Sequence, residues 1–170
     1  CGSPPFFFLK MGITIHYGGR LRSEADYLKV TGLGRAFAQR NNVVVLELDV
    51  NQKELIRVKG GEVQKYVSSV RGIRFCIHPH CEPVTLQFDS DNCLQEWCKT
   101  QYAGVATHLE VLAFLREIEP CFDDFQVIDE GGFWETGNLQ LLEDNFARMT
   151  AIIGKMRDLL SEEGLLDEPE

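Results

Sequence analysis

Between residues 43 and 50 the chain reads Val-Val-Val-Leu-Glu-Leu-Asp-Val, and this alternation limits the fold more than any other stretch. Side chains along a strand point to opposite faces in turn, so Val44, Leu46, Leu48 and Val50 share one face, with Glu47 and Asp49 on the other. A segment of this kind has to lie in a sheet. The surrounding sequence therefore has to supply partner strands and an apolar cover.

Further strands are expected at residues 13–17, 54–58, 73–78, 84–88, 94–99 and 125–128, each bounded by turn-forming residues. Gly18-Gly19, Asn51-Gln52-Lys53 and Gly60-Gly61 read as turns, and Asp89-Ser90-Asp91-Asn92 as a hairpin connection. Residues 62–70 follow neither period clearly. Ser23 can cap a helix whose apolar positions are Tyr27, Val30, Leu33, Phe37 and Ala38, up to Asn41-Asn42. Gly32 and Gly34 within it cost about 1 kcal/mol each relative to Ala, which close approach to a sheet would explain. Thr107-His108-Leu109-Glu110 fits a capping box ahead of Val111, Leu112, Leu115 and Ile118.

A last helix over residues 139–160 carries apolar residues at 139, 142, 146, 149, 153, 156 and 160. Spacings alternating between three and four make a heptad seam, suited either to packing on the sheet or to pairing two copies as a homodimer. The expected fold class is α+β: one mostly antiparallel sheet of six to seven strands, with three helices mainly on one side.

The chain has 170 residues, within the range of one domain, and its net charge is −9. Five of its 26 acids fall in residues 161–170, and without them the net charge is −4. Basic residues cluster only loosely, at Arg57, Lys59 and Lys65, so nucleic acid is not an expected partner. No apolar run approaches the roughly 20 residues that span a bilayer, so no membrane association is expected. Met11-Gly-Ile-Thr-Ile-His reads as a start. That makes 1–10 an upstream or cloning remnant, 11–160 the domain and 161–170 an acidic tail, while a lipidated Cys1-Gly2-Ser3 is the rival reading. Six cysteines without a secretion signal suggest reduced, mostly buried thiols and a cytoplasmic protein.

Three polar stretches lie at expected strand ends or helix starts. The first is Cys76-Ile-His78-Pro-His80-Cys81-Glu82-Pro83, where imidazole and thiolate together suit zinc or another divalent metal. Its spacing matches neither zinc ribbons and fingers nor a cupin site. The second is Lys99-Thr100-Gln101-Tyr-Ala-Gly, leading to His108 in the first turn of a helix, where the dipole favours neutral imidazole. The third is Asp129-Glu130-Gly-Gly-Phe-Trp134-Glu135-Thr-Gly, in which rings beside acids can raise a carboxyl pKa. Each stretch has an equally ordinary structural use, as core histidine, surface cap or rigid loop.

Should these stretches converge, a small-molecule or hydrolytic pocket results. His108, Glu130 and Glu135 are the candidate catalytic residues; His78, His80, Glu82, Lys99, Gln101, Asp129 and Trp134 would bind the ligand. A metal would take His78, His80, His108 and Glu130, with Glu135 as the base acting on bound water. The alternative is a non-catalytic regulatory or immunity-type interaction module that dimerises through the last helix.

The strings Ile-Thr-Ile-His-Tyr-Gly-Gly-Arg-Leu (13–21), His-Pro-His-Cys-Glu-Pro (78–83), Lys-Thr-Gln-Tyr-Ala-Gly (99–104) and Asp-Glu-Gly-Gly-Phe-Trp-Glu-Thr-Gly (129–137) resemble an uncharacterised family of bacterial hypothetical proteins. The likeness spans roughly residues 12–150. It implies a bacterial, cytoplasmic origin and a start near Met11, and carries over no functional residue.

Overall fold

The computed structural model describes residues 12–162; the start at Met11, the remnant 1–10, the lipidated Cys1 and all but the first two residues of the acidic tail fall outside them. The elements in chain order are β1 (Thr14–Arg20), α1 (Glu24–Arg40), β2 (Val45–Lys59), β3 (Glu62–Phe75), β4 (Val84–Asp89) and β5 (Cys93–Lys99). Then follow α2 (Gly104–Ile118), a 3₁₀ turn (Glu119–Cys121), β6 (Gln126–Asp129), α3 (Phe133–Thr136) and α4 (Leu139–Glu162). The strands form one sheet in the order β2-β3-β4-β5-β1-β6, every pair antiparallel. The fold is α+β as expected, with three substantial helices and one short one.

Alternation decides which residues meet the helices. Ile15, Ile73, Phe75, Val84, Leu86, Phe88 and Cys98 are buried on one face, together with Val30 and Phe37 of α1 and Val111, Phe114, Leu115 and Ile118 of α2. Phe37 stacks on Phe114 with centroids 4.8 Å apart, and Phe75 meets Phe114 edge-on at 5.7 Å. Ser23 caps α1, its hydroxyl accepting from the Asp26 N–H. A β-carbon on Gly34 would lie 2.6 Å from Ile73 Cδ1, so this glycine lets α1 approach the sheet. Gly32 has nothing within 4 Å and has no such role.

Two expected turns are not turns. Gly18-Gly19 lies within β1. Asn51-Gln52-Lys53 is a bulge inside the continuous strand β2, where the β2–β3 register shifts between Val50 and Lys53. The hairpin turns at Gly60-Gly61, whose φ values of 63° and 86° are those a tight hairpin requires. Residues 62–70, ambiguous in sequence, belong to β3.

Beyond the bulge this hairpin leaves the plane of the sheet. Arg57 Nη1 donates to the Cys93 carbonyl of β5 at 2.7 Å, and the Val58 N–H donates to Gln95 Oε1 at 2.8 Å. β5 is three places from β2 in the sheet, roughly 14 Å in a flat arrangement. The arm has therefore curled over the face away from the helices.

The capping box is also displaced. α2 starts at Gly104, and the Thr107 hydroxyl donates back to the Ala103 carbonyl instead of capping. α4 docks only through its first half: Leu142 and Phe146 are buried with Ile13, and Met149 packs beside them. Further along, Ile152, Met156, Leu159 and Leu160 are exposed.

Candidate functional site

The ends of β1, β5 and β6 meet the side of α2 in a buried polar knot. Thr100 Oγ1 lies 2.7 Å from His108 Nδ1, and His108 Nε2 lies 2.9 Å from Asp129 Oδ1. The His108 and Asp129 side chains are fully buried. The second contact is short but bent. The Nε2–H does not aim at the oxygen and finds no other acceptor, so the attraction is electrostatic more than a directed hydrogen bond. Asp129 has a further task, accepting N–H groups from Gly131 (2.7 Å), Phe133 (2.8 Å) and Trp134 (2.9 Å) to cap α3. Burial pushes its carboxyl up, but His108 and these N–H groups outweigh burial and hold it below the usual carboxylate value.

Glu130 and Gln101 tie the start of β1 to the same knot. Glu130 Oε2 accepts the Thr14 N–H at 2.8 Å, and Gln101 Oε1 accepts the Ile13 N–H at 3.0 Å. Glu82 Oε2 accepts the Lys99 N–H at 3.0 Å, and Lys99 pairs in register with Thr14. Six of the expected residues thus gather around one sheet end: Glu82, Lys99, Gln101, His108, Asp129 and Glu130.

The others stand apart. The His78 and His80 rings pair with each other, centroids 5.6 Å apart, in the turn before β4. Trp134 lies beneath the Arg116 guanidinium at 3.4 Å, and Glu135 is exposed on α3. His108 was expected on the first turn of an exposed helix start; it is instead an interior residue that solvent cannot touch. The proposed metal set of His78, His80, His108 and Glu130 is therefore split between the core and an exposed turn. Among the described residues no three His, Cys, Asp or Glu are arranged to hold a metal ion. What the knot visibly does is hold four chain segments together.

A different place has the geometry of a binding site. Between the curled arm and the open face of β1, β5 and β6 lies a concavity of about 400 Å³. His16, Arg20, Arg57, Gln95, Glu96 and Gln126 are among the residues lining it. Its wall contains a nearly buried ionic group. Arg57, 4% exposed in its side chain, sits 3.3 Å from Asp89 Oδ2 and 3.9 Å from Glu96 Oε1. It also donates to the carbonyls of Cys93 and Gln87. Asp89 accepts the Tyr66 hydroxyl at 2.5 Å and the N–H groups of Asp91 and Cys93. Burial raises the Asp89 carboxyl, but Tyr66, Cys93 and Arg57 outweigh it, so it is held below its ordinary value.

Glu96 receives one donor, Gln87 Nε2 at 3.3 Å. Burial pushes its carboxyl from 4.5 up to about 7, against the pull of Arg57, Lys53 and Arg74. Nearby, the Tyr17 hydroxyl donates to the Thr85 carbonyl and accepts its N–H, both at 3.0 Å. Burial and the neighbouring Cys98 and Glu96 push Tyr17 well above its ordinary value. On the opposite wall His16 Nε2 lies 3.6 Å from Glu130 Oε1, which links the concavity to the knot.

Sequence reasoning missed His16, Arg57 and Glu96. One signal was present: Leu55 and Arg57 are two apart, hence on one strand face, and that face turns out to be buried. No helix among the described residues is long and apolar enough to cross a membrane. Compared with known proteins, the chain matches no family model, no curated protein and no solved structure.

Proposed function

We propose that the chain binds a small polar molecule in the concavity beneath the β2–β3 arm. One observation carries this reading: a carboxyl that titrates near neutral pH, Glu96, lines a 400 Å³ space beside the buried Arg57. Carboxyls whose proton affinity is raised by burial in a cleft are the groups that exchange protons with ligands. Glu96 is the candidate proton donor or base, and His16, Gln95 and Gln126 are the candidate hydrogen-bonding contacts. A hydrolytic reaction at this place would use Glu96 as its acid or base. This moves the expected pocket from the strand-end knot, whose His108 and Asp129 are fully buried, to the opposite face of the sheet. A cytoplasmic location belongs to the same proposal, on the ground that a chain of 170 residues is large enough to fold without disulfides.

The test is a thermal-shift screen of polar metabolite-sized compounds against the wild type and Gln126→Trp, which fills the concavity from an exposed position on β6. Compounds that raise the melting temperature of the wild type and not of the variant support the reading. A screen whose hits act equally on both overturns it.

A second reading has its own observation. The stripe Ile152, Met156, Leu159 and Leu160 on the free half of α4 suits a regulatory or immunity-type module that pairs this helix with another copy.

A further inference from the structure

Cys81 and Cys98 present their sulfurs to each other at 3.5 Å inside the protein. Cys98 belongs to β5, which is paired with β1 along its whole length and held firmly in place. Cys81 ends the His78–Cys81 turn, whose closing hydrogen bond runs from the Cys81 N–H to the His78 carbonyl at 3.0 Å. A disulfide needs about 2.05 Å between sulfurs. The remaining gap of roughly 1.5 Å is within the reach of side-chain rotation and a small shift of the turn.

We propose that Cys81 and Cys98 form a reversible dithiol–disulfide site, oxidised by a hydroperoxide, that staples the His78–Cys81 turn to β5.

The two thiols are not equivalent, and their differences set the order of events. Cys81 is 6% exposed and Cys98 fully buried, so a small oxidant meets Cys81 first. The hydrogen bond from Cys98 holds the Cys81 thiol below its ordinary value despite burial, which favours the nucleophilic thiolate. The same bond, followed by burial, pushes Cys98 up, so it keeps its proton. That single proton has two acceptors in reach, the Cys81 sulfur and the Glu82 carbonyl at 3.1 Å.

In the first step the Cys81 thiolate attacks one peroxide oxygen, the O–O bond breaks, and a sulfenic acid forms. The departing oxygen takes a proton and leaves as water, or as an alcohol from an organic hydroperoxide. In the second step the Cys98 sulfur attacks the sulfenic sulfur, the S–O bond breaks, and the hydroxide leaves with the Cys98 proton as water. Overall, two thiols lose two electrons and two protons, and the peroxide is reduced. A dithiol reductant reverses the change by thiol–disulfide exchange.

Cys76 is the internal competitor. It is exposed, and its sulfur lies 3.4 Å from the Cys81 carbonyl.

The reduced full chain is treated with hydrogen peroxide in modest molar excess, its remaining thiols are alkylated under denaturing conditions, and its peptides are mapped without reductant. The expected result is a Cys81–Cys98 linked peptide, lighter by two hydrogens and restored by dithiothreitol. Cys98→Ser should instead leave a sulfenic acid at Cys81 that dimedone traps. Linkage of Cys81 to Cys76, or oxidation of Cys76 while Cys81 and Cys98 both alkylate fully, overturns the proposal. The wild-type map alone decides the matter if the serine variant fails to fold.

Discussion

Replacing Glu96 by Gln tests the electrostatics of the concavity directly. The folded carboxyl titrates at about 7 against an ordinary 4.5, so the folded state binds the proton more tightly than the unfolded chain. At about 1.4 kcal/mol per tenfold change in proton affinity, this rise corresponds to about 3 kcal/mol. Its sign is that of a raised carboxyl. Below about pH 4.5 both states are protonated and nothing is lost, whereas from there to about pH 7 stability declines because the unfolded chain ionises freely while the buried carboxyl keeps its proton. Above pH 7 the loss is complete. The charges facing Glu96 are Arg57 and Lys53 from β2 and Arg74 from β3, and their attraction is already contained in that value. Gln keeps the oxygen that accepts from Gln87 Nε2 and removes the titration. Urea unfolding of both proteins, repeated from about pH 5 to about pH 8.5, should show the variant gaining on the wild type as pH rises, by up to about 3 kcal/mol at the alkaline end. A stability difference that stays constant across this range would refute the reasoning, since it would place Glu96 in water.

Asp129→Ala removes the cap of α3 and the partner of His108, and should cost about 3 kcal/mol in urea unfolding near neutral pH. Because Asp129 is held below its ordinary 3.8, its contribution is complete above that value and fades on acidification, so the variant's deficit should shrink towards acid pH. Gly72→Ala should give little folded protein by circular dichroism, because Gly72 has φ +147° and its added β-carbon would sit 1.7 Å from the Leu86 carbonyl oxygen in the β3–β4 ladder. The paired substitution Met156→Asp/Leu160→Asp lies beyond the docked half of α4 and should leave the fold intact while reducing a dimer to a monomer in light scattering; a monomeric wild type would remove the basis for helix pairing.

Where a side chain's surroundings follow from its own period, the sequence was readable. The β4–β5 hairpin and the Ser23-capped α1 were expected where they occur, because local chemistry decides them. β3 was not, and the reason lies in what its arm faces. Tyr66 and Ser68 point inward to bond Asp89 and Ser90, while Val63 and Val67 point out, 71% and 63% exposed. The polar side of this strand is the covered side, so the usual link between apolar and buried is inverted over residues 62–68. The polar run Asn51-Gln52-Lys53 looked like a turn for a related reason, since a bulge that re-aims a strand uses the same residues as a loop. His108 was misplaced by one helical turn. Thr107-x-x-Glu110 has the form of a capping box, but Gly104, at φ +87°, had already started the helix.

The concavity was hidden because its chemistry depends on how one cation is divided between two acids that both lie far from it in sequence. Arg57 comes from β2, Asp89 from the end of β4 and Glu96 from β5, and only the curl of the arm brings them together. The division is unequal. Asp89 takes the guanidinium at 3.3 Å along with a tyrosine hydroxyl and two N–H groups, enough to offset its burial. Glu96 has the same guanidinium only at 3.9 Å and one amide donor, not enough to offset a comparable loss of water. One buried positive charge cannot fully stabilise two buried negative ones, so the acid with more hydrogen-bond donors and the closer guanidinium ionises and the other retains a proton near neutral pH. That retained proton, placed on the wall of an open concavity, distinguishes this cluster from the His108 knot. The knot is also well connected, but its His108 and Asp129 side chains have no solvent face through which to act.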